Sequence, residues 1–234
     1  MKSGFISIVG RPNVGKSTLL NSIIGKKVAI TSDKPQTTRN IIQGIYTDND
    51  SQMIFVDTPG IHKPKDKLGR FLNKEAYYSL SDVDVVLFLI DITCELGKGD
   101  KYILDILERE NKKVILVINK IDKLPREEIL LKIEEYKDLY NFDEIIPISA
   151  YKGDNVKRLI EVLKTKLTDN IKYYDDDIYT NVSEKFLIAE LVREKILELT
   201  HEEVPHSVSV ITEQINFNKN SVNIHEIGRA SCRE

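Results

Sequence analysis

Eight residues near the start of the chain have the types and spacing to hold phosphate. Gly10-Arg11-Pro12-Asn13-Val14-Gly15-Lys16-Ser17 reads G-x-x-x-x-G-K-S/T and is followed by Thr18. In such a segment the glycines let backbone N–H groups curl round phosphate oxygens. The lysine reaches the outer phosphates, and the serine hydroxyl can ligate Mg²⁺. The bland alternative is a glycine turn between a strand and a helix. Further on, Asp57-Thr58-Pro59-Gly60 offers a carboxylate that could hold Mg²⁺, through water, and a glycine N–H for a terminal phosphate. Alone it would be an ordinary turn; its position after Lys16 gives it the second role.

Asn119-Lys120-Ile121-Asp122 carries a carboxylate able to accept from both the ring N–H and the exocyclic amine of guanine. Adenine presents an acceptor and no amine at those positions, so Asp122 would reject it by being left unpaired. Ser149-Ala150 follows as a companion, with the Ala150 N–H available to the guanine carbonyl. Without the phosphate segment, Asn119 to Asp122 would read as a solvated loop. Four elements in this order predict GTP and GDP as ligands rather than ATP.

These groups must converge on one edge of a sheet. Short β-branched runs at 5–9, 41–47, 52–56, 83–90, 113–118 and 144–148 read as strands. Helix periodicity occupies 16–24, 68–80, 100–109, 127–140 and 155–167. The alternation predicts an α/β fold, a doubly wound domain with a mostly parallel six-stranded sheet and ligands at the carboxyl ends of its strands. After residue 167 an acidic, tyrosine-rich stretch, 168–183, reads as a linker. A helix at 184–199 follows, its apolar stripe carrying Phe186, Leu187, Ala189, Leu191, Val192, Ile196 and Leu199. Two short strands, 207–211 and 221–224, are joined by a turn-rich segment at 216–220.

The chain has 234 residues, of which 41% are hydrophobic and 30% charged, with a net charge of −3. That excludes a disordered chain or a mini-protein. Two cysteines, Cys94 and Cys232, and no leader-like apolar run predict a reduced, cytoplasmic protein. No apolar stretch approaches the roughly 18 residues of a membrane span, so any membrane contact must be peripheral. Residues 171–225 hold five basic against ten acidic side chains, an asymmetry that suggests two units and does not announce nucleic-acid binding.

The motifs resemble those of the translation-factor-related P-loop GTPases, and within them the Era-type subfamily. The residues carrying this are Gly10 to Ser17, Lys34-Pro35-Gln36-Thr37-Thr38-Arg39, Asp57 to Pro64, and His201-Glu202-Glu203-Val204-Pro205-His206-Ser207, within a match over residues 1–225. The resemblance implies a GTPase domain at 1–167 and, at 184–225, the N-terminal part of an α+β KH-type RNA-binding domain. That part stops before any Gly-x-x-Gly backbone clamp, and 226–234 is expected to be a non-native tail. It also implies a GTP-hydrolysing switch in small-subunit ribosome assembly. The expected partners are small-subunit ribosomal RNA and the 30S subunit, with peripheral association to the inner membrane, for a protein that is monomeric.

For the chemistry, Lys16, Thr38, Gly60 and Asn13 are the catalytic candidates, and Ser17, Thr38 and Asp57 the metal candidates. Either threonine of the Thr37-Thr38 pair could reach Mg²⁺, Thr38 being favoured. Asn13 matches an asparagine that related GTPases use as a K⁺ ligand, which can stand in for an arginine; otherwise it caps loop backbone. Where Ras-like proteins carry a water-orienting glutamine, this chain has Ile61. Intrinsic turnover should therefore be slow. Two other functions remain open: a GTP-dependent binding module with negligible hydrolysis, and a small-molecule kinase, which would leave Asn119 to Asp122 without a task.

Overall fold

The computed structural model describes residues 1–34, 37–61, 67–110, 112–200, 208–218 and 221–230. Strands β1 (Lys2–Val9), β2 (Ile42–Thr47), β3 (Ser51–Asp57), β4 (Val85–Asp91), β5 (Lys113–Asn119) and β6 (Glu144–Pro147) form one sheet in the order β2-β3-β1-β4-β5-β6. All neighbours are parallel except β2, which runs antiparallel to β3 at the edge. Helices α1 (Lys16–Ile24), α2 (Lys67–Ser81), α3 (Lys98–Glu110), α4 (Arg126–Tyr136) and α5 (Val156–Lys166) cover it.

The period of two explains how one apolar run serves two cores. Along β4, Val85, Leu87 and Leu89 pack with Leu19 and Leu20 of α1 and Leu159 and Leu163 of α5. Val86, Phe88 and Ile90 face the other way, onto Ala76 of α2, Ile103 and Leu107 of α3, and Tyr136 of α4. Because five strands are parallel, their carboxyl ends meet at one edge, where Ile8 pairs with Asp57 and Asp91 with Asn119.

The segment expected to be a linker is stitched to this sheet. Gln52 accepts from the Tyr173 and Tyr174 N–H groups at 2.8 and 2.9 Å and donates to the Tyr174 carbonyl at 2.9 Å. The Ile45 N–H donates to the Tyr179 carbonyl at 2.9 Å, so the strand edge that β2 would leave open is partly covered.

Helix α6 (Glu184–Leu199) starts where expected, with the Ser183 hydroxyl accepting from the Phe186 N–H. Its buried face is not the expected apolar stripe. Ala189, Glu190, Arg193, Glu194 and Leu197 are buried, while Leu199 is exposed. Strands β7 (Val208–Phe217) and β8 (Val222–Ala230) form an antiparallel two-stranded sheet, each much longer than predicted. The register continues past residue 225 into the stretch expected to be a tail, pairing Val208 with Ala230. The His201 to Ser207 motif and Cys232 lie outside the described residues.

Candidate nucleotide-binding site

Residues 10–17 leave the end of β1, turn, and enter α1. At Gly15, φ is +101°, and a Cβ there would lie 2.3 Å from Asn119 Nδ2, so only glycine fits both the conformation and the space. Lys16 is buried, and among the described residues its ammonium donates to the Gly10 and Arg11 carbonyls, at 3.4 and 3.1 Å. Burial lowers its pKa to about 8, against an opposing pull from Asp57. A buried cation held by carbonyls at a helix N-terminus is an anion site with its counter-charge outstanding.

Beside it, Ser17 Oγ lies 2.7 Å from Asp57 Oδ2 and 3.0 Å from Thr38 Oγ1. Asp57 is fully buried, which lifts its pKa to about 6 despite Lys16 and the Ser17 hydrogen bond, and its Oδ1 has no hydrogen-bond partner among the described residues. Two hydroxyls and one carboxylate, the latter with an orphaned oxygen, suit a hard cation whose remaining ligands are water and phosphate. The Thr37 hydroxyl is turned away, donating to the Lys34 carbonyl at 2.7 Å. Residues 35 and 36 between them lie outside the described residues, as do His62 to Pro64.

Gly60 approaches the phosphate loop so closely that a Cβ would meet the Pro12 nitrogen at 2.7 Å, and the Ile61 N–H donates to the Gly10 carbonyl at 3.2 Å. The Ile61 side chain is wholly buried in the α2/α3 core. A buried, apolar Ile61 side chain cannot orient a water for attack.

On the base side, Asn119 donates from Nδ2 to the Val14 carbonyl at 2.8 Å and accepts the Ala150 N–H at 2.9 Å. Asp122 Oδ1 accepts the Ser149 hydroxyl at 2.7 Å, a bond that leads the causes lowering its pKa and keeps the carboxylate ionised. Lys120 donates to the Asn13 carbonyl at 3.0 Å and to Asp91 Oδ2 at 2.5 Å. Phosphate and base motifs are thus bolted together by the chain's own hydrogen bonds. A cleft of about 580 Å³ over Lys16, Ser17, Thr18 and Thr38 adjoins a recess of about 310 Å³ over Asn119, Lys120 and Asp122, within the range of small-ligand sites.

Several predicted residues contribute backbone rather than side chain. Arg11 turns its guanidinium away from the cleft, Nε lying 2.9 Å from Oδ1 of the fully buried Asp100 at the start of α3. Val14 is buried in the α1/α5 core, and the Thr58 hydroxyl donates to the Ile8 carbonyl at 3.0 Å. Sequence reasoning missed Asp91, Asp100, and the charged face of α6. Arg193, buried and bidentate with Glu190, also donates to the Thr37 carbonyl. Glu194 accepts from Lys27 and from the Thr31 N–H at 2.8 Å. Asp91 ends a strand and Asp100 lies in the first turn of α3, but no local pattern marked their partners, and nothing local marked Arg193.

Residues 5–120 match the family described as 50S ribosome-binding GTPase. The chain is 53% identical over 227 residues to GTPase Era of Clostridium kluyveri, covering 97% of this chain and 77% of that protein. It belongs to the Era family of GTPases. Among solved structures, Era in complex with MgGDPNP and a fragment of 16S ribosomal RNA superposes with a TM-score of 0.94 at 41% identity, covering 99% of this chain and 80% of the other. An Aquifex aeolicus Era variant bound to GDP and tetrafluoroaluminate gives 0.91 at 42% identity, covering 97% and 78%. As an Era-family member the chain binds guanine nucleotides and is a GTP-hydrolysing P-loop protein. Among the described residues no helix is long and apolar enough to cross a membrane.

Proposed function

We propose that the chain is the nucleotide-operated part of a switch in small ribosomal subunit assembly, alternating between GTP and GDP and gripping small-subunit ribosomal RNA through its C-terminal unit. The observation that carries the nucleotide half is the buried Lys16 ammonium, with no carboxylate in contact among the described residues, beside the Ser17–Asp57–Thr38 cluster. Lys16 and the loop N–H groups would bind the phosphates; Ser17, Thr38 and, through water, Asp57 would hold Mg²⁺, which would neutralise charge on them. The RNA half is supported by the solved Era complex with 16S ribosomal RNA. Association with the 30S subunit, peripheral membrane contact and a monomeric state are parts of the same reading.

Ile61 leaves the attacking water to backbone groups, and Asn13 is placed to help. Its Nδ2 donates to the Asp33 carbonyl at 2.6 Å, bridging the phosphate loop and the switch segment, residues 31–39, that holds Thr37 and Thr38. With the amide turned over, its oxygen and that carbonyl would both face a K⁺ ion. GTP turnover should then rise when K⁺ replaces Na⁺, and Asn13→Ala should abolish the difference; equal rates in both salts would sink the idea. The buried Ile61 also favours a second reading, a GTP-dependent binding module that barely hydrolyses. Single-turnover hydrolysis with Lys16→Ala as control separates the two. RNA binding in GTP and in GDP, by this chain and by a version with a complete KH domain, tests the switch itself.

A further inference from the structure

Arg11 belongs to the phosphate loop, yet its guanidinium leaves the cleft for a slot at the start of α3. Its Nε lies 2.9 Å from Asp100 Oδ1, and its Nη2 donates to the Glu95 carbonyl at 3.3 Å. Two glycines keep the slot open: a Cβ at Gly99 would lie 2.9 Å from Arg11 Cδ, and one at Gly97 would lie 3.2 Å from Nη1. Asp100 is wholly buried, and its other oxygen accepts the Gly97 N–H at 2.9 Å, so its own loop fixes the carboxylate. Arg11 is its ion-pair partner among the described residues, and a buried carboxylate stripped of its cation is costly. The pair is therefore a firm anchor.

The backbone of the same residue has a separate task. The Arg11 and Gly10 carbonyls receive the Lys16 ammonium at 3.1 and 3.4 Å, and the Gly10 carbonyl also takes the Ile61 N–H at 3.2 Å. We propose that Arg11 is a positioning residue of the phosphate site, its ion pair with Asp100 fixing the Gly10–Arg11 backbone so that the Lys16 ammonium points at the phosphates. This rests on the assignment of the cleft to phosphate. Arg11 acts through Lys16 and not by touching the anion: Pro12, Asn13 and Lys16 line the cleft, whereas the Arg11 guanidinium lies in the slot. The Asp100 carboxylate also offsets its charge, so little of its field is left for the ligand.

Calorimetric titration of pyrophosphate and GDP, with Mg²⁺ present, into wild type, Arg11→Met, Arg11→Lys, Asp100→Asn and the double variant Arg11→Met with Asp100→Asn tests it. Each is titrated at a temperature where thermal unfolding shows it fully folded. Arg11→Met should weaken both ligands by one factor, about tenfold, because the loss falls on the phosphates they share. Asp100→Asn leaves the arginine its charge and should weaken them to the same extent. The double variant, in which no charge is stranded, should be no weaker than either single one. Arg11→Lys keeps a cation facing Asp100 and should recover most of the affinity. Asp100→Asn that binds pyrophosphate as tightly as wild type, or more tightly, would make Arg11 a direct phosphate ligand and overturn the proposal. So would a double variant within about twofold of wild type, whatever its unfolding temperature, since the pair would then serve stability alone. If Asp100→Asn does not fold, the double variant and Arg11→Lys decide. Wild type that does not bind pyrophosphate would overturn the phosphate assignment itself.

Discussion

At the floor of the cleft, Lys16 and Asp57 are two buried groups displaced in opposite directions, the lysine down to about 8 and the carboxyl up to about 6, both chiefly by burial. In the nucleotide-free protein each therefore opposes folding when charged. Lys16 has its folded pKa below the unfolded value, so its penalty is full below pH 8 and fades as pH rises from about 8 to 10.5. Asp57 has its folded pKa raised, so its favourable contribution is full below about 3.8 and lost as pH rises through 6. A phosphate anion arriving at Lys16 stabilises the charged form and pulls its pKa back up. GDP binding near pH 8 should thus take up a fraction of a proton, and near pH 6.5, where Lys16 is already charged, this uptake should vanish. Titrations in buffers of different ionisation enthalpy check it, and identical heats at pH 8 would contradict it. The partners of Lys16 in the cradle were legible because they lie within six residues of it. Asp91 and Asp100 acquire their roles from Lys120 and Arg11, 29 and 89 positions away, and no local pattern announces such pairs.

At the scale of elements, α6 docks on the nucleotide domain through charge. Glu194 holds Thr31 and Lys27, Arg193 holds the Thr37 carbonyl, and Thr37 adjoins the Thr38 that meets Ser17. The helix thus clamps both ends of the switch segment. Breaking a buried ion pair from one side costs about 3–5 kcal/mol, since the other charge is left unpaired. Arg193→Met should lower stability to urea by an amount of that order and speed amide exchange at residues 31–39. The double variant Arg193→Met with Glu190→Met should recover part of the loss, because the stranded carboxylate is gone. Unchanged exchange at 31–39 in the single variant would show that the clamp does not order the switch. The limits of α1 and α6 were readable, the first from the phosphate-loop glycine before it and the second from its helical period, and the structure starts α6 at a Ser183 cap. The buried face of α6 was not readable. A hydrophobic stripe predicts which side is apolar, and this helix buries Glu190, Arg193 and Glu194 because their partners lie some 150 or more residues upstream or on the same helix. In β7 and β8 most residues are exposed on both faces, so the alternation that would have marked their full length is absent.

Across the whole molecule, stability must be uneven. The six-stranded sheet is covered on both faces, whereas β7 and β8 make a two-stranded sheet with Ile211, Phe217 and Val222 exposed at 63%, 71% and 51%. Two strands alone are marginal in water, so what steadies this pair is its attachment. The attachment is lopsided: Arg39 donates to the Val208 carbonyl at 2.8 Å and Lys185 to the Glu213 carbonyl at 2.7 Å, both within the first six of the ten residues of β7. The far end, where Phe217 pairs with Val222, has no such tie among the described residues. Native-state hydrogen exchange should accordingly find β4 and β5 opening only with global unfolding and the far end of the hairpin opening at far lower free energy. Saturating GDP at about 100 times its Kd should raise the protection of β4 and β5 by about 2.7 kcal/mol, because a ligand stabilises whatever must unfold to release it. Residues near Val208 should gain part of that through Arg39, which follows the switch segment, and residues 217 and 222 should gain none. Equal gains along the whole hairpin would mean that the two units unfold as one.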